Sequence, residues 1–368
     1  MANKHMPHDL AQMQSLPLQA KIIMTQQRIR QWHEHWDGQV YVSFSGGKDS
    51  TVLKHIVDGM YDDVPAVFVN TGLEYPEIQK FVKDIKAGKY DCFNSDVEIL
   101  RPEMRFDEVL KNYGYPVFSK ETAANIEYGR KALERGDSTK VDRYFHGIRT
   151  NPKTGEEYKH MSLSKKALDF ALNSNIPASN KCCSIMKKNP AKKYAQESGR
   201  KSIQGTMASE SRLREKIWVR HGCNAFNSKE PISKPLSFWT SQDILHYIKE
   251  FNVPYCPVYG DIVVDDDSDY AVDGQITTFD ILEDYENTRL KTTGCDRTGC
   301  IFCMFGCHLE KEPNRFQRLK ETHPRQYEYC IKGGEMVDGK WQPNKEGLGL
   351  GKVLDYIGVK YEREDEDK

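Results

Sequence analysis

Apolar residues recur near helical spacing over residues 18–36, where Leu18, Ile22, Ile23, Ile29 and Trp32 precede an Asp37-Gly38 turn. A β-rich run follows, Val40-Tyr41-Val42-Ser43-Phe44, then a glycine turn and a helix-patterned stretch at residues 51–57. The same alternation repeats. Strand-like runs at 66–70 and 97–100 flank a helical pattern at 76–85, further helical patterns fall at 120–133, 164–172 and 241–251, and a strand-like run occupies 202–204. Strands alternating with helices predict an α/β fold, Rossmann-like, with a parallel twisted sheet, helices on both faces, and ligands at the carboxyl ends of the strands.

The turn after the first strand carries the chemistry. Ser45-Gly46-Gly47-Lys48-Asp49-Ser50 joins a strand to a helix start, the arrangement by which a chain builds a phosphate pocket. Two glycines let the backbone turn and bring N–H groups close to an anion, the helix N-terminus adds partial positive charge, and Lys48 adds a full one. Asp49 and Ser50 fit the first turn as capping groups. Gly-Gly-Lys alone would equally suit an ordinary loop with a solvated lysine. The spacing is not the Walker pattern, which excludes a P-loop motor or GTPase. A second strand end, Asn70-Thr71-Gly72, is expected to share the crevice.

Composition narrows the class. The 368 residues carry 53 Lys plus Arg against 54 Asp plus Glu, and 38% are hydrophobic, enough for a full core and more than a single small module. With a mean hydropathy of −0.71 and no long apolar run, neither a signal peptide nor a membrane span is visible, and a soluble cytoplasmic protein with no membrane partner is expected. Charge is balanced overall but not locally: residues 187–220 hold ten cations against three acids, a net of +7 that would favour an anionic ligand or polyanion. The bland counterpart is a set of solvated helix faces. Asp265-Asp266-Asp267 reads most simply as a solvated acidic loop, with a magnesium role as its alternative.

Ten cysteines without a secretory signal point to metal or redox chemistry rather than disulfides. Cys295, Cys300, Cys303 and Cys307 cluster, and Cys182-Cys183 form an adjacent pair; Cys92, Cys223, Cys256 and Cys330 stand alone and are expected as packing residues. The predicted organisation is an N-terminal helical segment at 1–37, the α/β domain at 38–258, and a Cys-rich C-terminal extension with a charged tail at 259–368.

Four separated segments, covering roughly residues 38 to 260, together resemble one family. Ser45 to Ser50 resembles the PP-loop of the ATP pyrophosphatase superfamily, and Val69-Asn70-Thr71-Gly72-Leu73-Glu74 the Thr-Gly-x-Glu segment of its phosphoadenosine phosphosulfate (PAPS) reductase branch. Gly205-Thr206-Met207-Ala208-Ser209-Glu210-Ser211-Arg212 is similar to that branch's Gly-x-Arg-x-x-Glu-Ser-x-x-Arg segment, and Pro235 to Ile244 to its Pro-[Leu/Ile]-x-x-Trp-[Thr/Ser]-x-x-Asp-[Val/Ile] segment. The resemblance implies that Ser45, Gly46, Gly47, Lys48, Asp49 and Ser50 cradle nucleotide phosphates, that Asn70, Thr71 and Gly72 lie near the adenine, and that Gly205 and Arg212 stand at the same crevice, with Arg212 meeting an anionic group. Met207 departs from the family arginine. Cys182-Cys183 resembles half of the iron-sulfur site of adenylylsulfate reductases, which implies a 4Fe-4S cluster on Cys182, Cys183, Cys300 and Cys303, with Cys295 and Cys307 as alternates; structural zinc and free thiols stay open. The Glu-Cys-Gly-x-His tail of assimilatory reductases is absent, and Gly306-Cys307-His308-Leu309-Glu310 has another order.

The expected function is therefore an enzyme that binds ATP or a related adenine nucleotide with Mg²⁺. It would adenylate an acceptor with release of pyrophosphate for sulfur transfer, with Lys48, Asp49 and Arg212 as the catalytic candidates. A nucleic acid is a candidate acceptor, by tRNA thiolation or DNA phosphorothioation, and a cysteine desulfurase or another sulfur donor a candidate partner. The alternatives are a reductase of PAPS or adenylylsulfate and a nucleotide-sensing protein with a structural cluster.

Overall fold

The computed structural model describes residues 4–265 and 288–363. Asp266 and Asp267 of the acidic loop and the end of the charged tail lie outside them. The chain divides into two compact units: Met1–Asn70, Glu74–Arg101 and Pro190–Thr298 form one, and Thr71–Leu73, Pro102–Asn189 and Gly299–Lys368 the other.

In the first unit, β1 (Val40–Phe44), β2 (Ala66–Val69) and β3 (Val97–Leu100) fall where the pattern placed them, each separated by one helix, Lys48–Asp58 and Pro76–Lys86. Two small strands, β4 (Ile148–Thr150) and β5 (Glu157–Lys159), pair as a hairpin in the second unit. The chain then returns with β6 (Lys201–Gln204), β7 (Asn224–Ala225) and β8 (Ile232–Ser233). The sheet order is β3-β2-β1-β6-β8-β7. All its pairings are parallel except β7 with β8, an antiparallel edge that the predicted all-parallel sheet did not include.

Strand alternation explains why both faces are covered. Val40, Val42 and Phe44 join the core of Ile29, Trp32, Ile56, Phe81 and Ile244 from the surrounding helices, whereas Tyr41 turns the other way and meets Tyr194 edge-on at 5.1 Å. The helix Leu18–His35 is tied to the Trp239 segment by polar contacts in this core. Trp239 Nε1 donates to Thr25 Oγ1 at 2.9 Å, and Lys21 Nζ reaches both Asp243 oxygens at 2.8 Å. Trp239 and Asp243, two fixed points of the family-like segment, are thus structural anchors. A two-stranded ladder, β9 (Ile262–Val264) with β10 (Leu290–Thr292), completes the unit.

The second unit is mainly helical. Helices Lys120–Glu134 and Lys165–Asn173 pack around Phe145 and Phe170, both under 2% exposed. Arg130 closes the end of the second of these helices by donating to the carbonyls of Phe170, Ala171, Ser174 and Ile176 at 2.6–2.9 Å. No described helix is long and apolar enough to cross a membrane.

Thr25→Val, nearly isosteric, leaves the buried Trp239 indole N–H without its acceptor. It should lower the unfolding free energy by about 1–3 kcal/mol in a denaturant titration, while Thr25→Ser keeps most of it. Equal stability of the two variants would show that the hydrogen bond contributes nothing.

Candidate functional site

The glycine turn leaves β1 at Phe44 and enters the helix Lys48–Asp58 through Gly47 as its N-cap. Gly46 has φ +71°, and a Cβ there would stand 2.8 Å from Ile78 Cγ2 and 3.0 Å from Val82 Cγ2. Any other residue would be strained and would collide with the helix Pro76–Lys86. Ser50 organises the turn from inside: its hydroxyl accepts Ser45 N–H at 3.1 Å, lies 2.9 Å from Ser45 Oγ, and donates to Gly47 O at 2.9 Å.

The expected side-chain cap is not formed. The N-cap residue, Gly47, has no side chain to offer, neither Asp49 nor Ser50 caps the helix, and the Asp49 Oδ1 atom is buried without a hydrogen-bond partner, 3.8 Å from Lys48 Nζ. A helix N-terminus beside a lysine suits an anion. Lys48 is held in place rather than solvated: its backbone N–H donates to Tyr259 OH at 3.2 Å, and Nζ donates to Asp296 O at 2.8 Å. Tyr259 OH lies 2.6 Å from Thr298 Oγ1, and burial raises the phenol to about 12, so it stays protonated at neutral pH.

A cleft of about 370 Å³ opens in front of the turn, lined by Ser45, Gly47, Lys48, Asp49 and Ser50 from the loop and by Gly205 from the end of β6. Gly205 is where two backbones meet, since a Cβ would lie 2.9 Å from Asp49 O. Across the cleft stand Glu210, Arg214, Tyr259, Arg297 and Thr298. Burial and, next, the neighbouring Arg297 hold the Arg214 guanidinium below the usual arginine range. Arg212 is exposed and is not among the lining residues. The family-like pattern itself, counted three residues beyond Ser211, ends at Arg214, which is the signal that could have found it.

Asn70 follows β2 and donates its N–H to Leu100 O at 2.8 Å, whereas Thr71 and Gly72 belong to the second unit. There Leu73 O accepts Ile301 N–H at 2.8 Å, which ties this turn to the Cys-rich stretch. The expected C-terminal extension is shared between the units: residues 259–298 belong to the first and 299–368 to the second. The +7 segment is partly committed within the protein. Arg200 donates to Val40 O at 3.0 Å, Lys201 sits over the Trp36 ring at 5.2 Å, and Lys192 pairs with Glu230 at 2.7 Å.

None of the ten cysteines is in a disulfide. Cys182, Cys183, Cys300, Cys303 and Cys307 all fall in the second unit, and Cys295 in the first, near enough to Cys256 to act on its charge. The Cys182 thiol donates to Cys183 Sγ at 4.0 Å. That contact raises Cys182 and lowers Cys183, helped for Cys183 by the charges of Lys120 and Lys187. Cys300 and Cys303 lie close enough to act on Cys182 as well. Burial pushes the Cys307 thiol up to about 12. Among the described residues no three His, Cys, Asp or Glu side chains gather as a single metal ion requires. Cys223, Cys256 and Cys330 are buried as packing residues; Cys92, expected with them, is exposed in the connection before β3.

Two curated relatives, both uncharacterized proteins of Methanocaldococcus jannaschii, are 35% identical over 91 residues and 37% identical over 89. Each match covers 24% of this chain and only 21% or 18% of the relative, so the chain spans about a fifth of the length of the relatives it matches. A crystal structure of phosphoadenylyl-sulfate (PAPS) reductase from Candida auris, in a phosphate complex, aligns over 70% of this chain and 90% of its own, at 16% identity and a TM-score of 0.36. The profile of the phosphoadenosine phosphosulfate reductase domain matches residues 39–168 and 154–304, well over half of the chain. With the glycine turn and the cleft in front of it, that match means that this chain belongs to the phosphoadenosine phosphosulfate reductase domain family.

Proposed function

We propose that the cleft binds ATP or a related adenine nucleotide by its phosphates and that the protein adenylates an acceptor for sulfur transfer. The observation that carries this reading is Lys48, whose ammonium is held by Asp296 O at the start of a helix that opens on a glycine turn. An acceptor oxygen would attack the α-phosphorus, the bond to the β-phosphate oxygen would break, and pyrophosphate would leave. A sulfur nucleophile would then displace AMP. Lys48 and the loop N–H groups stabilise the negative charge that grows on the departing pyrophosphate. Asp49, with its unpartnered buried Oδ1, is the group available to Mg²⁺ on the phosphate oxygens. Arg214 replaces Arg212 as the arginine facing the anion.

The family match favours a second reading, reduction of a sulfonucleotide. Pyrophosphate released from ATP in the presence of an acceptor supports the first reading, and sulfite released from PAPS or adenylylsulfate supports the second. Lys48→Ala should weaken ATP binding by about tenfold or more and reduce pyrophosphate release roughly 100-fold, with an unchanged circular dichroism spectrum. Unaltered affinity and turnover would remove the glycine turn from the mechanism.

The donor set suits an iron-sulfur cluster: soft thiols from two separated segments, with one thiol of the adjacent pair already shifted toward thiolate. Cys182, Cys183, Cys300 and Cys303 would hold it, with Cys307 as the alternate in the same unit, and it would supply redox or sulfur-handling chemistry. Purified without oxygen, the protein should be coloured and contain iron and acid-labile sulfide, both lost in Cys183→Ser and Cys303→Ser. A colourless, active protein with stoichiometric zinc would refute the cluster.

For the acceptor, nucleic acid is the class that the +7 segment favours. Retention on RNA or DNA should fall steeply between low and moderate salt. Retention that ignores salt, or none at low salt, would turn the assignment toward a small-molecule acceptor.

A further inference from the structure

Two guanidinium groups at the cleft share one acid. Arg297 Nη2 donates to Glu210 Oε1 at 2.7 Å, and Arg214 pairs with Glu210 Oε2. The same Oε2 accepts Met207 N–H at 3.1 Å. Glu210 is largely covered at 14% exposed, while the arginines remain 40% and 59% exposed for Arg214 and Arg297. One carboxylate neutralises one guanidinium, so the second is surplus positive charge at the mouth of a cleft. Arg297 is the more exposed of the two and so the one free to turn.

Its position in the chain singles it out further. Asp296, Arg297 and Thr298 are consecutive, and each touches the cleft machinery: Asp296 O holds Lys48 Nζ, Arg297 holds Glu210, and Thr298 Oγ1 lies 2.6 Å from the Tyr259 hydroxyl that receives Lys48 N–H. Lys48 therefore rests on a neutral carbonyl, a weaker partner than a phosphate oxygen. A polyanion would find both cations held by partners that can be exchanged.

Resting on the nucleotide reading above, we propose that Arg297 is a specificity-determining residue of the cleft, leaving Glu210 to contact a phosphate of a polyphosphate chain seated on the glycine turn. The exchange costs little. Glu210 keeps Arg214 and the Met207 N–H, so no carboxylate is left unpaired, and Arg297 trades one charge-assisted bond for a bidentate contact to phosphate. On this proposal a single phosphate on the turn leaves Arg297 on Glu210. The cleft accordingly prefers ligands that carry a pyrophosphate group over those with a single phosphate.

The test is calorimetric titration of inorganic pyrophosphate and of AMP into the intact protein and its Arg297→Ala, Arg297→Lys, Glu210→Gln and Lys48→Ala variants. Arg297→Ala should weaken pyrophosphate about tenfold and AMP less than about twofold, the size of one partly exposed charge-assisted contact. Arg297→Lys should fall between, since an ammonium cannot form the fork. Glu210→Gln, which removes the competing carboxylate, should tighten pyrophosphate. If Lys48→Ala loses pyrophosphate but Arg297→Ala does not, the inference about Arg297 fails and the nucleotide reading stands. Equal weakening of pyrophosphate and AMP overturns the preference. If the unaltered protein binds neither pyrophosphate nor ATP, the nucleotide reading itself falls.

Discussion

The left-handed backbone at Gly46 is the constraint from which the cleft follows. With φ +71° and no room for a Cβ against Ile78 and Val82, the chain must reverse between β1 and the helix Lys48–Asp58 within three residues. That reversal sets the helix start at the carboxyl end of a central strand, flanked by β2 on one side and β6 on the other. Gly205, at the end of β6, then closes to within contact of the Asp49 carbonyl. The cleft is the space left where the parallel strands β1 and β6 end and the first of them turns too tightly to fill it; Asn70, Thr71 and Gly72, expected to share it, are not among its lining residues.

Around that space the charges are arranged in pairs that are incomplete on their own. Lys48 leans on a carbonyl, Asp49 keeps a buried oxygen without a hydrogen bond, and Glu210 divides itself between two arginines. Such an arrangement is stable without ligand because each charge has at least a partial partner. For Lys48, held by a neutral carbonyl, an anionic oxygen would be the stronger partner. Fold restricts the chemistry without naming it, and the charges around the cleft and the thiols in the second unit are what distinguish one reaction from another.

In the second unit the adjacent cysteines polarise each other. A hydrogen bond from the Cys182 thiol lowers Cys183, and the charges of Lys120 and Lys187 act in the same direction. This asymmetry is the reason that an adjacent pair differs chemically from two isolated cysteines such as Cys223 and Cys330, which burial keeps as thiols.

The sequence by itself determined the elements whose cause is local. β1 and β3 lie where alternation put them, and the helices at Pro76–Lys86 and Lys120–Glu134 end within a residue of the periodicity, because side-chain spacing along one segment is a short-range property. The glycine turn was legible for the same reason. What only the tertiary structure decided is which distant residues face that turn. Arg214 rather than Arg212 lines the cleft because helical rotation, not proximity in the chain, chooses which of two arginines points inward. Tyr259, Arg297 and Thr298 lie more than 200 residues from Lys48 and reach it only because the described residues on either side of the acidic loop, 259–265 and 288–298, belong to the unit that carries β1. Cys92 is exposed although most isolated cysteines here are buried, because burial belongs to the packing of the whole chain and not to the residue type.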